Sequence, residues 1–376
     1  MKIYMDTPAL FVRPTRNTDW RYMKALHKLS VYIPVDLIYP FDVNDILYEN
    51  INFVSNKILR KIFRQSSPGN PGRRTRSINI GNVRRSSADV VYSHRHQFPV
   101  NIGAVPAVWF YSVADPRMLL ANGVTEREIA AQYERQGQGY RLATKVQVTT
   151  EAEVKRHAAR FPELADRFVS APWFRPDLSA ISPSEAREKH SNDETIKILF
   201  IGRQARRKGL DILLDAIRLV SASEKSRLSL DIVSSFSDGP INLDVGVDLR
   251  RHTEITDADM FELLRRAHVY AMPCRLETFG LVFIEAMSHG CAVLGPDWEV
   301  QQEILDYGDA GANVALQKET ICAALREICF DRTKRLRLAE AAIERFVARY
   351  SPASVAKSYL AMFEDAIESW SHGAHK

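Results

Sequence analysis

The chain has 376 residues, of which 45% are hydrophobic and 26% charged, a composition typical of a soluble globular protein. This length suits two domains. The longest apolar runs are too short to cross a bilayer, and the first residues lack the zones of a signal peptide. The four cysteines show no metal-ligand spacing, so we expect reduced thiols in a cytoplasmic protein.

Charge is divided unevenly along the chain. Residues 1–180 hold 26 Lys+Arg and 16 Asp+Glu, a net charge of +10, whereas the remaining residues have a net charge of −5. This difference indicates that the two halves meet different partners and that the first half faces something anionic.

Nine short apolar segments alternate with helical patterns and predict strands. In chain order they are Lys2–Tyr4, Val35–Tyr39, Asp89–Ser93, Ala107–Tyr111, Val146–Thr149, Lys197–Gly202, Leu228–Ser234, Val269–Pro273 and Cys291–Gly295. Alternation of strands and helices is typical of parallel sheets covered on both faces, which bind ligands at the carboxyl ends of their strands. We therefore predict an α/β fold with two Rossmann-like parallel-sheet domains facing a central cleft.

The domain boundaries follow from composition. Residues 179–195 are polar and without apolar periodicity, and this linker separates an N-terminal domain (1–178) from a C-terminal domain (196–350). Apolar residues at helical spacing then predict a last helix, residues 352–371, that crosses back to the N-terminal domain.

A basic stretch at residues 51–88 contains nine Lys and Arg residues and no acidic one. Lys57, Arg60, Lys61 and Arg64 alternate there with apolar residues, as in a basic amphipathic helix that attaches to an anionic membrane surface. The alternative is a helix that faces the core, followed by a solvated loop. Nucleic acid is not an expected partner, because the stretch lacks aromatic interleaving and any recognised motif.

The strand predicted at Lys197–Gly202 leads into a basic loop and then a helix that begins near Leu210. Arg203 and Lys208 bracket this loop, and a helix N-terminus presents free amides that favour an anion. The alternative is a solvated basic loop. Neither a GxGxxG fingerprint nor a P-loop follows the strand.

Residues 274–290 read CRLETFGLVFIEAMSHG, with two glutamates eight positions apart. Glu277 falls in a loop after a predicted strand, and Glu285 falls among apolar residues of the following helix. A buried Glu285 would be costly without a partner, which is either a pair of ligand hydroxyls or a salt bridge. The start of the helix also offers a phosphate three amides, those of Phe279, Gly280 and Leu281.

Residues 273–297, PCRLETFGLVFIEAMSHGCAVLGPD, resemble the E-x7-E signature of retaining GT-B glycosyltransferases of family 4. FIGRQARRKG, residues 200–209, is similar to the G-R-x4-K-G phosphate loop of that family. The resemblance in motifs covers residues 197 to about 315. Over residues 1–180 it is limited to the order of the predicted strands and helices.

The resemblance implies a role for each matching residue. Glu277 would contact hydroxyls of a donor sugar, and Glu285 would contact the ribose of its nucleotide. Arg203 and Lys208 would hold the diphosphate and stabilise the departing nucleotide. Further donor contacts are implied for Gly202, Ile255, Thr256, Phe279, Gly280 and Leu281.

Asp257 and Asp259 match the D-x-D pattern that other glycosyltransferases use for a metal. A helix N-terminus capped by Thr256, with acidic residues in the first turn, explains the pattern better. We therefore expect no metal and no cofactor apart from the nucleotide-diphosphate sugar that serves as donor substrate.

The first half departs from the family pattern. Many relatives carry a histidine near the donor sugar at the end of an N-terminal strand, where this chain has Phe110 and Tyr111. His94 and His96 end the preceding predicted strand, so these two and Tyr111 are candidates for the acceptor side. The alternative is that a histidine at a strand end is structural.

Together these patterns predict a retaining, metal-independent glycosyltransferase. It would move a sugar from a nucleotide-diphosphate sugar to a glycan or lipid-linked acceptor, in bacterial cell-surface polysaccharide or lipopolysaccharide synthesis, at the inner face of the cytoplasmic membrane. The alternatives are a GT-B nucleotide-sugar epimerase or hydrolase, and a catalytically silent nucleotide-sugar-binding protein.

Overall fold

The computed structural model describes residues 1–6, 28, 31–34, 36–38, 88–93, 105–111, 115–191, 194–236, 239–253 and 255–373. These residues form two six-stranded sheets, and every pair of neighbouring strands is parallel. The predicted α/β class with two parallel sheets is therefore confirmed.

The first sheet has the strand order β2-β1-β3-β4-β5-β6. Its strands are β1 (Lys2–Asp6), β2 (Asp36–Ile38), β3 (Val90–Ser93), β4 (Ala107–Phe110), β5 (Lys145–Val148) and β6 (Phe168–Ser170). In the described residues between these strands, the α-helices are α1 (Pro116–Ala121), α2 (Glu126–Leu142) and α3 (Glu151–Arg160), and a 3-10 helix, Pro162–Arg167, precedes β6. Strands β3 to β5 are buried along their whole length, which is typical of parallel sheets covered on both faces.

The second sheet has the strand order β12-β11-β10-β7-β8-β9. Its strands are β7 (Ile196–Ile201), β8 (Leu228–Val233), β9 (Asp248–His252), β10 (Val269–Ala271), β11 (Ala292–Pro296) and β12 (Ala312–Val314). The helices are α4 (Pro183–Lys189), α5 (Leu210–Arg218), α6 (Ala222–Lys225), α7 (Asp257–Arg266), α8 (Leu281–Ser288), α9 (Glu299–Ile304), α10 (Lys318–Phe330) and α11 (Arg332–Arg345). The sheet and its helices share one continuous hydrophobic core.

The last helix, α12 (Pro352–Gly373), crosses back to the first sheet, as predicted. Successive side chains of a strand point to opposite faces of a sheet. Accordingly, Trp109 of β4 packs with Tyr140 of α2 on one face, whereas Tyr92 of β3 packs with Phe363 of α12 on the other. A helix from the C-terminal end of the chain thus supplies one layer of the N-terminal domain.

The structure contains all nine predicted strands, with ends that differ from the prediction by one or two residues. The sequence patterns missed β6, β9 and β12, and each of the three lies at an edge of its sheet. Residues 179–195, predicted as a linker, include α4, whose Ala186 is fully buried. No helix in the described part of the chain is both long and apolar enough to cross a membrane.

Replacing Phe363 by alanine should destabilise the protein by about 3–5 kcal/mol, because Phe363 is buried and makes an edge-on contact with Tyr92 of β3. Urea unfolding of wild type and variant measures this free energy. Glu364→Ala is the matched control, since Glu364 is exposed on the same helix and its loss should change stability by less than about 0.5 kcal/mol. Equal stability of the two variants would contradict the docking of α12 on the first sheet.

Candidate active site

The strand order of the second sheet reverses direction between β7 and β10. Strands β8 and β9 lie on one side of β7, and β10, β11 and β12 lie on the other. The loops that leave β7 and β10 therefore diverge and open a crevice at the carboxyl ends of these two strands. Ligands of open parallel sheets bind at such switch points. Both predicted motifs lie here: the loop 202–209 follows β7, and the loop 272–280 follows β10.

Two glycines allow these loops to come together. A Cβ atom at Gly202 would lie 2.6 Å from Cγ of Lys208, so a glycine is needed for the lysine side chain to lie across the end of β7. Gly209 has φ +80°, and a Cβ atom there would lie 1.9 Å from the carbonyl oxygen of Pro273. The two loops are therefore in direct backbone contact.

Two arginines that the sequence patterns did not single out join the same loops. Arg275 pairs with Asp211 at 2.7 Å and donates to the carbonyl of Arg206 at 2.6 Å. Arg207 donates in return to the carbonyl of Leu276 at 2.7 Å. These bonds cross the switch point in both directions and fix the loop geometry.

Lys208 and Glu277 form an ion pair across the crevice, and both side chains are largely buried. Burial, together with the nearby positive charge of Arg207, lowers the pKa of Lys208 to about 8. The other oxygen of Glu277 accepts the amide N–H of Thr278 at 3.1 Å. The structure thus brings together a cation and a carboxylate that lie 69 positions apart in sequence.

The start of α8 lies beside this ion pair. Gly280 is the N-cap residue, and its carbonyl accepts the N–H of Phe283 at 2.9 Å, whereas the amides of Leu281 and Val282 precede the first hydrogen bond of the helix. Gln301 of α9 holds the carbonyl of Phe279 at 3.0 Å, which fixes the chain just before the cap. Leu281 begins the helix, so the predicted amides are grouped at a positive helix end near Lys208 and favour an anion.

Glu285 lies in the second turn of α8 and is 3% exposed. One of its oxygens accepts a hydrogen bond from Arg175 at 2.8 Å, and the other, Oε2, has no hydrogen-bond partner among the described residues. Burial raises the pKa of Glu285, whereas the charge of Arg175 lowers it. Of the two predicted kinds of partner for Glu285, the structure shows the salt bridge, and the second carboxylate oxygen stays buried without a partner among the described residues.

Arg203 follows Gly202 at the end of β7 and is exposed. Its carbonyl accepts hydrogen bonds from the hydroxyls of Ser234 and Ser235, at 3.3 and 2.7 Å, so its backbone is anchored to the end of β8. No carboxylate in the described part of the chain pairs with the Arg203 guanidinium, which leaves an exposed positive charge after the end of β7.

Thr256 caps α7, and Asp259 completes a capping box with it. The interpretation of Asp257 and Asp259 as acids of a helix start is confirmed, and Asp257 also pairs with Arg175 at 3.1 Å. The described residues contain no cluster of three metal-binding side chains. Ile255 directly precedes the cap at the carboxyl edge of the second sheet.

The N-terminal domain approaches the site through α1. Met118 Sδ accepts the backbone N–H of Glu277 at 3.1 Å, and Asn122 donates to the carbonyl of Arg275 at 2.8 Å. No sequence pattern predicted these two contacts, because they join segments more than 150 residues apart. The N-terminal domain thus touches the loop that carries Glu277.

Of the predicted acceptor-side residues, only Tyr111 is described. Its ring packs against Trp109, and its hydroxyl accepts a hydrogen bond from Gln136 at 3.1 Å, which ties the side chain to α2. His94 and His96 lie outside the described residues, as do the basic residues Lys57, Arg60, Lys61 and Arg64.

Residues 182–345, which contain β7 to β12 and the whole crevice, match the family described as glycosyl transferases group 1. Residues 182–345, called the group 1 region below, include Lys208, Glu277 and Glu285, so the family model matches the part of the chain in which the predicted motifs lie. The roles implied by the E-x7-E spacing stay predictions.

Two curated relatives match about half of the chain. The first is a D-inositol 3-phosphate glycosyltransferase of Corynebacterium kroppenstedtii, 29% identical over 214 residues, which are 53% of this chain and 47% of the relative. The second is a phosphatidyl-myo-inositol mannosyltransferase of Mycolicibacterium smegmatis, 32% identical over 174 residues, 44% of either chain. The chain therefore spans less than half the length of these relatives.

A solved structure extends the likeness to the whole chain. WaaG, a glycosyltransferase involved in lipopolysaccharide biosynthesis, has a TM-score of 0.55 and 15% identity, and the match covers 96% of this chain and 99% of WaaG. At this identity the likeness shows the fold alone. The group 1 region is thus the C-terminal half of a GT-B fold, as predicted.

The anion site should depend on pH through Lys208. An amine with a pKa of about 8 is charged at pH 7 and neutral at pH 9, so binding of pyrophosphate should weaken as the pH rises through 8. Lys208→Arg keeps the charge over this range and should give a flat profile. Isothermal titration calorimetry at pH 7, 8 and 9 compares the two proteins. The same slope in both would exclude Lys208 as the titrating group.

Proposed function

We propose that the protein is a retaining glycosyltransferase that moves a sugar from a nucleotide-diphosphate sugar to a glycan or lipid-linked acceptor. The observation that carries this proposal is the grouping of Lys208, Glu277 and the N-terminus of α8 at the switch point. A cation and a positive helix end suit a diphosphate, and a carboxylate beside them suits sugar hydroxyls.

The donor would lie along the crevice with its two ends at the two glutamates. Glu285 would accept a ribose hydroxyl on its unpartnered oxygen, and Glu277 would accept hydroxyls of the sugar. Lys208 and Arg203 would contact the diphosphate between them. These cations stabilise the negative charge that grows on the nucleotide as the bond between the sugar and the phosphate oxygen breaks.

Retention follows if the acceptor hydroxyl attacks from the face that the nucleotide leaves. The new bond joins the acceptor oxygen to the anomeric carbon, and the hydroxyl proton passes to an oxygen of the departing phosphate. No metal ion is part of this proposal, because Lys208, Arg203 and the α8 amides supply the positive charge. Contact of α1 with the Glu277 loop brings the N-terminal domain, where the acceptor would bind, against the donor site.

The acceptor class is supported by the names of the relatives and by charge. The two curated relatives are named for inositol 3-phosphate and phosphatidyl-myo-inositol, and WaaG for lipopolysaccharide biosynthesis. Residues 1–180 of this chain have a net charge of +10, which favours an anionic acceptor or an anionic surface. We propose that the protein acts at the inner face of the bacterial cytoplasmic membrane in synthesis of a cell-surface glycan.

Donor binding is tested by thermal shift with UDP, GDP and ADP and with their common sugar conjugates. A ligand at 100 times its dissociation constant stabilises a protein by about 2.7 kcal/mol, so one nucleotide family should raise the melting temperature of the wild type. Glu285→Ala should abolish that shift, whereas Glu262→Ala, an exposed change on α7, should retain it. A wild type that none of these ligands stabilises would overturn the proposed function.

Turnover of the donor that binds separates transfer from the alternatives. A transferase should consume this donor only with an acceptor, and the anomeric proton of the product should show retained configuration by NMR, with EDTA present. Turnover without an acceptor indicates an epimerase or hydrolase. Binding without turnover in the presence of inositol phosphates, phosphatidylinositol and lipopolysaccharide fractions indicates a silent binding protein.

Membrane attachment through residues 51–88 is part of the proposal and has its own test. Vesicles of phosphatidylglycerol and phosphatidylcholine should sediment the wild type at low salt, since each basic residue near an anionic surface contributes about 1 kcal/mol. Replacing Lys57, Arg60, Lys61 and Arg64 by glutamine should release the protein. Replacing four exposed basic residues of the second domain, Arg250, Arg265, Lys318 and Arg326, is the control. Unchanged sedimentation of the first variant would exclude this surface.

A further inference from the structure

The chain passes from the N-terminal to the C-terminal hydrophobic core within four residues. Phe174 is buried in the first core, Leu178 is buried in the second, and Trp173 packs against both. Arg175 lies between them and precedes Pro176, which restricts Arg175 to an extended backbone. The carbonyl of Arg175 accepts the N–H of Leu178 at 3.3 Å and closes a turn. The backbone of Arg175 is therefore fixed by both domains.

The side chain of Arg175 reaches from this crossing into the nucleotide site. Its guanidinium donates to Glu285 at 2.8 Å, to both oxygens of Asp177 at 3.1 and 2.8 Å, and to Asp257 at 3.1 Å. Its central carbon lies 5.0 Å from the centroid of the Phe261 ring. A planar fork of five donors can serve several carboxylates in fixed directions, which a lysine cannot do.

This arrangement leaves the carboxylate of Glu285 half satisfied. Arg175 occupies Oε1, whereas Oε2 is buried and has no hydrogen-bond partner in the described part of the molecule. A buried carboxylate oxygen without a donor is costly, so the position favours a ligand that brings a hydroxyl. The oxygen lies on the helix whose first turn faces the diphosphate position.

We propose that Arg175 is a positioning residue of the nucleotide site, which holds Glu285 as an oriented carboxylate with one oxygen reserved for a ribose hydroxyl. This inference rests on the proposed function and deepens it. Arg175 itself does not touch the nucleotide. It acts through Glu285, and it does so from the segment that connects the two domains.

The electrostatics of the site explain why the arginine is needed. The charged or titratable groups around Glu285 are Arg175, Asp177, Asp257, Tyr270 and His289. Burial and the two aspartates raise the pKa of Glu285, and Arg175 lowers it. Removal of the arginine would therefore leave Glu285 protonated up to a higher pH, and a protonated carboxyl is a weaker acceptor for a ribose hydroxyl.

The test measures the dissociation constant of the nucleoside diphosphate that stabilises the wild type, UDP, GDP or ADP, by calorimetry from pH 6 to pH 9. In Arg175→Gln, the nucleotide should bind about tenfold more weakly for each pH unit below the raised pKa of Glu285. The pH at which the affinity falls to half of its maximum should therefore be higher than in the wild type. Arg175→Lys should recover part of the affinity. Arg187→Gln, which changes an exposed arginine of α4, should behave as wild type.

The double variant Arg175→Gln/Glu285→Gln removes both charges and identifies the titrating group. Replacement of a buried ion pair by neutral groups is tolerated better than loss of one partner, so this variant should fold even if Arg175→Gln does not. Its nucleotide binding should be weak and should lack the upward-shifted pH midpoint. Persistence of that shift would show that Glu285 is not the group and would overturn the inference.

The remaining outcomes separate this inference from the proposed function. If Arg175→Gln and Arg175→Lys bind the nucleotide with the affinity and pH profile of the wild type, Arg175 has no positioning role, whereas the proposed function stands. If the wild type binds none of the three nucleotides, both fail. If Arg175→Gln unfolds, Arg175→Lys carries the test, because one ammonium cannot serve three carboxylates in fixed directions.

Discussion

The ion pair of Lys208 and Glu277 joins the two loops on which the site depends. Each residue comes from a different strand–loop–helix unit, and the reversal of strand order between β7 and β10 brings the two units side by side. The pair can form only because Gly202 leaves room for the lysine and Gly209 lets the loops touch. The close approach of the two loops at Gly209 and Pro273 therefore sets the shape of the crevice, and the ion pair forms within that shape.

The same edge of the sheet collects positive charge of three kinds. Lys208 is a buried point charge, Arg203 is an exposed fork at the mouth, and the start of α8 is a positive helix end. Glu277 pairs with Lys208, and Glu285 lies one turn further along α8. Such an arrangement matches a ligand with a negative centre and hydroxyl groups at both ends.

The sequence predicted the interior of the fold better than its edges. Central strands such as β7 are buried on both faces and read as continuous apolar runs, whereas the edge strand β9, Asp248–His252, is half exposed and reads as polar. The loops around Lys208 and Glu277 were also predicted, because the residues of each motif lie within one short continuous stretch of sequence. The contacts of Arg175 with Glu285, of Met118 with Glu277 and of Asn122 with Arg275 were not predicted, because each joins residues 110 or more positions apart that only the packed structure brings together.

Among the described residues, the chain crosses between the two hydrophobic cores twice, once between Phe174 and Leu178 and again between Tyr350 and Val355. These two short segments of chain are the covalent connections between the domains, and a line can be drawn through both of them. Any relative motion of the domains about this line keeps both connections intact, whereas sliding or twisting across it would stretch one of them. The return of α12 to the first sheet therefore gives the two cores a second covalent connection, which limits how far one domain can move away from the other.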